Sequence, residues 1–417
     1  MTDRSTRTAA GALMLCAVLS AALAMGLRQS FGLFLAPMTT DHAWSASGFA
    51  FAIALSVLLN GVFQPICGQI ADRIGGRAVV MGGAVLYAVG IVGMALSDSM
   101  ALFTFFGGVV MGVAVSAAGM PVIIASLTRL LPAESRGRAV GLGTAGSSFG
   151  QFLVVPLAGL GISGFAIPGG PAWGGLGWQW TLFAMAAVAL LMIPLALPLN
   201  DKPAPKAAGE AEQTARQALA LAFRTPTFWF LFFGFFVCGL HVSFLAVHLP
   251  GFVHSCGLPL AVGAGAISLI GLFNVAGSLA AGELSQRWRR RELLVGIYAA
   301  RGVVMAGFMA LPKTTGTVLV FSALMGILWL STVPPTVALV ARNFGTRWLA
   351  TLFGLVFLGH QIGGFVGAWL GGVILDRTGS YDLMWTIGIL AAAFAAVVHM
   401  PVKDPAPGAA AAAPARA

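Results

Sequence analysis

Long apolar runs alternate with short polar turns along the whole chain, and the runs are too long for strands or for helices of a water-soluble core. A helix needs ~20 apolar residues to cross a bilayer. On that rule the pattern predicts twelve spans: Gly11–Met38, Ser47–Ile70, Ala78–Leu96, Ala101–Leu127, Ala139–Ser163, Trp178–Leu199, Thr227–Phe252, Leu260–Leu284, Leu293–Leu311, Thr317–Ala341, Leu349–Ile374 and Leu383–Pro401. The longest polar stretch, 200–225, carries DKPAPK and GEAEQTAR and falls between the sixth and seventh spans. This layout predicts an all-α integral membrane protein of two six-helix bundles, at 1–199 and 226–402, with a linker at 200–225. The Ala/Pro-rich tail at 403–417 is low-complexity and expected to be disordered.

Composition agrees. Hydrophobic residues make up 58% of the chain and charged ones 9%, where a soluble protein carries roughly a quarter charged. The net charge of +10 does not point to nucleic acid, because the basic residues sit in short loops rather than in one patch. Cys16, Cys67, Cys238 and Cys256 are scattered without ligand spacing, so neither a disulfide, a metal site nor a cofactor is expected. Arg4, Arg7 and the Ala22-Leu23-Ala24 run imitate a cleavable signal peptide, but the apolar run continues to Met38 and reads as an uncleaved first span.

The turn between the second and third spans reads GQIADRIGGR, Gly68–Arg77, with Asp72, Arg73 and Arg77 in ten residues. Half a chain later GELSQRWRRR repeats it: Gly282 stands for Gly68, Arg287 for Arg73, Arg291 for Arg77, and Gln286 for Asp72. One turn repeated once marks two related bundles. These turns, Arg129/Arg136/Arg138, the central segment and Arg342/Arg347 fall on one side, against Lys313 and Arg377 on the other. The distribution of Lys and Arg predicts that both termini are cytoplasmic and, for a bacterial protein, that the membrane is the inner one.

Ionisable groups inside a membrane are expensive and are functional candidates. Here they are one-sided: Arg28 and Arg301 lie within spans, whereas every Asp and Glu falls in a loop, a tail or a helix end. A guanidinium cannot shed its charge, so each arginine is expected to need water or an anion, and a carboxylate fits its fork. Arg28, ~15 Å from its helix end, is the first candidate for substrate binding. Arg301 is the second, close enough to an end for partial snorkelling, with Tyr298 one turn earlier. With no membrane acid to carry a proton, His241 and His360 become the candidates for coupling. Small residues in GGVVMG, GLGTAGSSFG and GGFVGAWLGG predict close helix packing. Trp329, Ser331, Thr332 and the Pro334-Pro335 pair predict a bend in the tenth span.

GQIADRIGGR resembles the loop motif of the major facilitator superfamily, and the twelve-span layout matches that family over nearly the whole chain. LRQSFGLFL in the first span and GGVILDRTGSYDLMW between the last two are similar to the monocarboxylate porter and oxalate:formate antiporter branch. The resemblance implies a cytoplasmic gate built on Gly68, Asp72, Arg73 and Arg77, with the start of the eleventh span near Arg347 as partner. It also implies that the eleventh span faces the central cavity, which favours His360. There are departures: GLFNVAGS has Asn274 and Ser278 where monocarboxylate porters carry an Asp and Arg four apart, and the fourth span lacks the family's proton-transfer Arg. The fifth span lacks the Gly-Pro of drug antiporters. The expected function is secondary active transport of a small organic mono- or dicarboxylate, with Arg28, Arg301, Tyr298 and Asn274 at the substrate, and protons or a counter-anion as the drive. The lipid bilayer is the expected surrounding, no nucleic acid is expected, and nothing calls for more than a monomer. Drug efflux would want an acid in the cavity. A membrane-embedded enzyme would want metal-binding carboxylates or an H-x-x-x-D cluster, and a sensor a soluble domain; none is visible.

Overall fold

The computed structural model describes residues 2–130, 133–166, 172–201, 215–345 and 348–404. Twelve helices long and apolar enough to cross a membrane follow one another: span 1, Gly11–His42; span 2, Ala46–Ala71; span 3, Gly76–Leu96; span 4, Met100–Leu127; span 5, Ala145–Ser163; span 6, Gly177–Ala196; span 7, Pro226–Ser255; span 8, Leu260–Arg287; span 9, Arg290–Ala310; span 10, Thr315–Phe344; span 11, Thr351–Thr378; and span 12, Asp382–His399. Each expected span is present. The protein is an all-α, multi-pass membrane protein because only a helix satisfies its own backbone inside hydrocarbon.

The two halves repeat one packing scheme. Span 1 packs on span 5, span 2 on span 4 and span 3 on span 6; in the second half span 7 packs on 11, span 8 on 10 and span 9 on 12. Two seams join the six-helix bundles, span 2 against span 11 and span 5 against span 8. Small residues set the distances within a bundle. A β-carbon on Gly239 of span 7 would lie 1.8 Å from the carbonyl oxygen of His360, and one on Gly363 of span 11 would lie 1.9 Å from that of Phe236. The packing of spans 7 and 11 thus tolerates no larger residue at either place.

Besides a turn at Leu191 that divides span 6 near its end, three spans are irregular within the membrane. Span 1 passes through a 3-10 turn at Phe31–Phe34, span 4 through a π-helical turn at Phe105–Val110, and span 10 breaks between Leu328 and Val333. Sequence pattern foresaw only the last. A two-stranded antiparallel hairpin, Phe165–Ala166 with Ala172–Trp173, lies between spans 5 and 6 and was not foreseen either.

The seams are not uniform along their length. At the end opposite the basic loops, the Asp376 carboxylate of span 11 accepts hydrogen bonds from the Ala46 and Ser47 amides of span 2, at 3.0 and 2.8 Å. Gly32 of span 1 lies against the backbone of Ala246 and Val247 in span 7. Toward the basic loops, no hydrogen bond or ion pair joins the halves beyond Asn60 and Asn274 among the described residues. Gly68 and Gly354 face open space there. Among the described residues, polar contacts thus tie the bundles together at one end and not at the other.

Candidate functional site

The break in span 10 organises the middle of the second bundle. Helix Thr315–Leu328 ends and helix Val333–Phe344 restarts with Pro334 in its first turn, a position proline suits. The backbone groups left free inside the membrane all need partners. Arg301 of span 9 supplies donors: its Nε and Nη2 both donate to the Leu328 carbonyl, at 3.1 and 2.5 Å, and Nη2 also donates to that of Trp329. Asn274 of span 8 supplies the acceptor, its Oδ1 taking the Leu330 amide at 3.0 Å. Ser331 donates back to the Ile327 carbonyl at 2.5 Å, and Thr332 contacts the Cys238 thiol of span 7 at 3.2 Å. The negative end of a helix faces a fixed cation, a favourable arrangement in a dry interior.

This accounting corrects two expectations. Arg301 is 0% exposed and does not snorkel. Backbone carbonyls take the place of the water or anion expected as its partner, because the broken helix offers acceptors that a continuous one would not. Its Nη1 is sealed and unpartnered. Tyr298 carries the guanidinium over its ring at 5.3 Å, gives its hydroxyl to the Gly234 carbonyl at 2.6 Å and stacks on His399. Asn274 is spent as well: besides Leu330 it accepts from Ser278 at 3.1 Å and donates across the seam to Ser148 of span 5 at 2.9 Å.

Arg28 stands differently. It lies in the last turn of helix Thr2–Gln29, just before the irregular turn of span 1. The side chain is half-buried. Its guanidinium has no hydrogen bond or ion pair with any described residue, and its nitrogens are not sealed as Nη1 of Arg301 is. Tyr87 of span 3 is its electrostatic neighbour and donates to the Ala24 carbonyl one turn away, at 2.8 Å. Beside it Gln29 has a buried, unpartnered Nε2.

The two histidines also diverge. His241 is sealed, its Nε2 bonded to the Gly388 carbonyl at 2.8 Å and its Nδ1 unpartnered. A carbonyl only accepts, so Nε2 carries the proton and Nδ1 the lone pair. His360 of span 11 lies 3.0 Å from Oε1 of Gln361, whose Nε2 donates across the seam to the Val57 carbonyl and to Asn60 Oδ1 of span 2, at 2.8 and 2.9 Å. His360 is thereby a titratable group tied, through Gln361, to a contact between the halves. Asn60 and Gln361 escaped sequence reading, yet a signal was available: Asn60 stands as far before Gly68 as Asn274 does before Gly282.

In the basic loop Gly75 adopts φ +91° and breaks the helix between Ile74 and Gly76. Arg73 and Arg77 have no ion-pair partner among the described residues, and a β-carbon on Gly68 would meet open space. The side chain of Asp72 and all of Arg347 lie outside the described residues. Instead, Asp201 holds this corner. It accepts from the Gly76 amide at 2.7 Å and pairs with Arg129. In the second half Asp404 does the same, accepting from the Arg291 amide at 3.0 Å and pairing with the buried Arg290 at 3.4 Å. Arg290 is therefore a buried, paired charge, whereas the exposed Arg287 pairs with Glu283 one turn away.

Twelve spans in two pseudo-symmetric bundles joined at two seams define a membrane transporter rather than an enzyme. The Major Facilitator Superfamily profile matches residues 15–368, and the chain belongs to that family. It is 26% identical to human monocarboxylate transporter 11 over 383 residues, 86% of this chain and 75% of that one. It is 25% identical to the oxalate:formate antiporter of Oxalobacter formigenes over 376 residues, covering 88% and 85% of the two chains. Among solved structures, the D-xylose–proton symporter superposes with a TM-score of 0.75 over 94% of this chain and 97% of that one, at 16% identity; that likeness speaks for the fold.

Proposed function

We propose that the protein is a secondary active transporter of a small organic anion, a mono- or dicarboxylate, and that its bundles at 1–199 and 226–402 rock about the two seams to give alternating access. The observation that carries this reading is Arg28, a cation within span 1 whose donors are bound to no described residue. In so apolar a setting a bidentate carboxylate is the partner its fork fits best. No acid stands in the middle of a described span to bind a drug-like cation instead. The relatives named as a monocarboxylate transporter and an oxalate:formate antiporter support the same substrate class.

In this reading the basic loops and both termini face the cytoplasm of a bacterial cell, the membrane is the inner one, and the conformation seen is open to the inside. The protein works as a monomer. Coupling to protons runs through His360, whose partner Gln361 spans the seam; exchange against a second anion is the other drive. The loop Gly68, Asp72, Arg73 and Arg77 engages span 11 only when the inner end shuts.

A thermal-shift screen of the purified protein tests the substrate class, with small carboxylates and hydrophobic cations run in parallel on wild type and Arg28→Ala. A ligand at about 100 times its Kd raises stability by ~2.7 kcal/mol. The expected result is a shift by a carboxylate in wild type and none in the variant. A response to cations alone, or an equal response in the variant, overturns the assignment.

A further inference from the structure

We propose that Asp376 is the latch that holds the end opposite the basic loops shut, and that it does so by clasping the first amides of span 2. This rests on the alternating-access reading above. The carboxylate takes the Ala46 amide on Oδ1 and the Ser47 amide on Oδ2. These are first-turn amides of helix Ala46–Ile74, which lack partners within their own helix. An anion there also meets the positive end of the helix dipole. Span 2 and span 11 belong to different bundles, so the clasp exists only while this end is closed. A contact made in one conformation and not in the other shifts the balance between them.

The turn that carries Asp376 is DRTGSY, 376–381, and its residues fix the carboxylate in place. Gly379, at φ +70°, ends the helix of span 11 in a left-handed conformation that a side chain would strain. The Thr378 hydroxyl accepts from the Ser380 amide, and the Ser380 hydroxyl accepts from that of Asp382. Tyr381 is buried and donates its hydroxyl to Nδ1 of His248 in span 7 at 3.2 Å. Because the Ala368 carbonyl can only accept, Nε2 of His248 carries the proton and Nδ1 is free to receive the phenol. Burial, reinforced by the nearby Asp376 charge, pushes the phenol pKa up and keeps it a donor. The turn is thus riveted to its own bundle while its first residue reaches the other one. The second seam has no such clasp at this end among the described residues; there Gly159 meets Ala264 in apolar contact.

Hydrogen–deuterium exchange on the full-length protein in lipid nanodiscs, without substrate, reads both ends at once. The variants are Asp376→Asn, which removes the charge, Asp376→Ala, which removes both acceptors, and Asp376→Glu, which keeps a carboxylate. Asp376 is exposed, so none of them threatens folding, and the expected change is moderate. Exchange over 43–50 and 244–252 should rise about three- to tenfold in the Asn variant. It should rise further in Ala and less in Glu, while exchange over 64–77 and 349–356 falls as that end closes. Unchanged rates over 43–50 in both Asn and Ala overturn the latch. A rise at both ends with a lowered Tm overturns it too, since that is general destabilisation. A rise at the closed end with no change at the other keeps the clasp but overturns the rocking on which its gating role depends.

Discussion

Arg28 and Arg301 are the two cations placed within spans by the sequence, and each lies beside an irregular stretch of backbone, yet the fold uses them in opposite ways. Arg301 is sealed in the second bundle and donates to Leu328 and Trp329 at the broken end of a helix. Arg28 sits at the end of its own helix in the first bundle, with its donors bound to nothing described. The difference lies in what the neighbouring backbone offers. Span 10 opens its carbonyls toward span 9, so a cation there is consumed in completing the fold. In span 1 the chain continues directly into a 3-10 turn whose own bonds, such as the Leu33 amide to the Ser30 carbonyl at 3.0 Å, satisfy the backbone. A cation next to it stays available. An intramembrane arginine marks a function only after its local carbonyls have been counted.

The largest effect that would break this comparison is at Arg301. Arg301→Ala strands two buried carbonyls and should cost about 3–5 kcal/mol, read as a lowered Tm with no ligand present. Arg301→Lys should recover only part, since an ammonium lacks the planar fork. Arg28→Ala should leave the ligand-free Tm nearly unchanged and remove the ~2.7 kcal/mol gained at saturating carboxylate. If the two arginines exchange these phenotypes, their assignments are reversed. Asn274→Leu leaves the Leu330 amide and Ser148 without their partner and should cost about 2 kcal/mol. A double-mutant cycle should find it coupled to Arg301→Ala and additive with Arg28→Ala. Tyr298→Phe, which removes one hydroxyl from the Gly234 carbonyl, should cost about 1 kcal/mol and leave any carboxylate shift intact.

The seams show how far one sequence can be read. The turn at Gly68–Arg77 and its copy at Gly282–Arg291 disclose the internal repeat, and the matching asparagines Asn60 and Asn274 were open to the same comparison. Their partners were not. Gln361 and Ser148 lie in spans far away along the chain, and only the docking of one bundle on the other brings them within bonding distance. Asp201 and Asp404 present the same difficulty. In the sequence they are acids just after an apolar run, but each returns to cap the helix two spans and more before it.

The sequence by itself determined twelve spans, the two-bundle repeat, the uneven spread of basic loops and the break in span 10. Each of these follows from local pattern, because hydrocarbon demands a continuous apolar helix and proline interrupts it. Tertiary structure alone decided which polar groups were already satisfied. A free carbonyl at Leu328, an acceptor at Asn274 or an amide at Ala46 has no counterpart in the order of residues, since the partner comes from another span. Of the four residues expected at the substrate, packing commits Arg301, Tyr298 and Asn274 to other groups. Arg28 keeps its donors free because no carbonyl or acid among the described residues is brought to meet it.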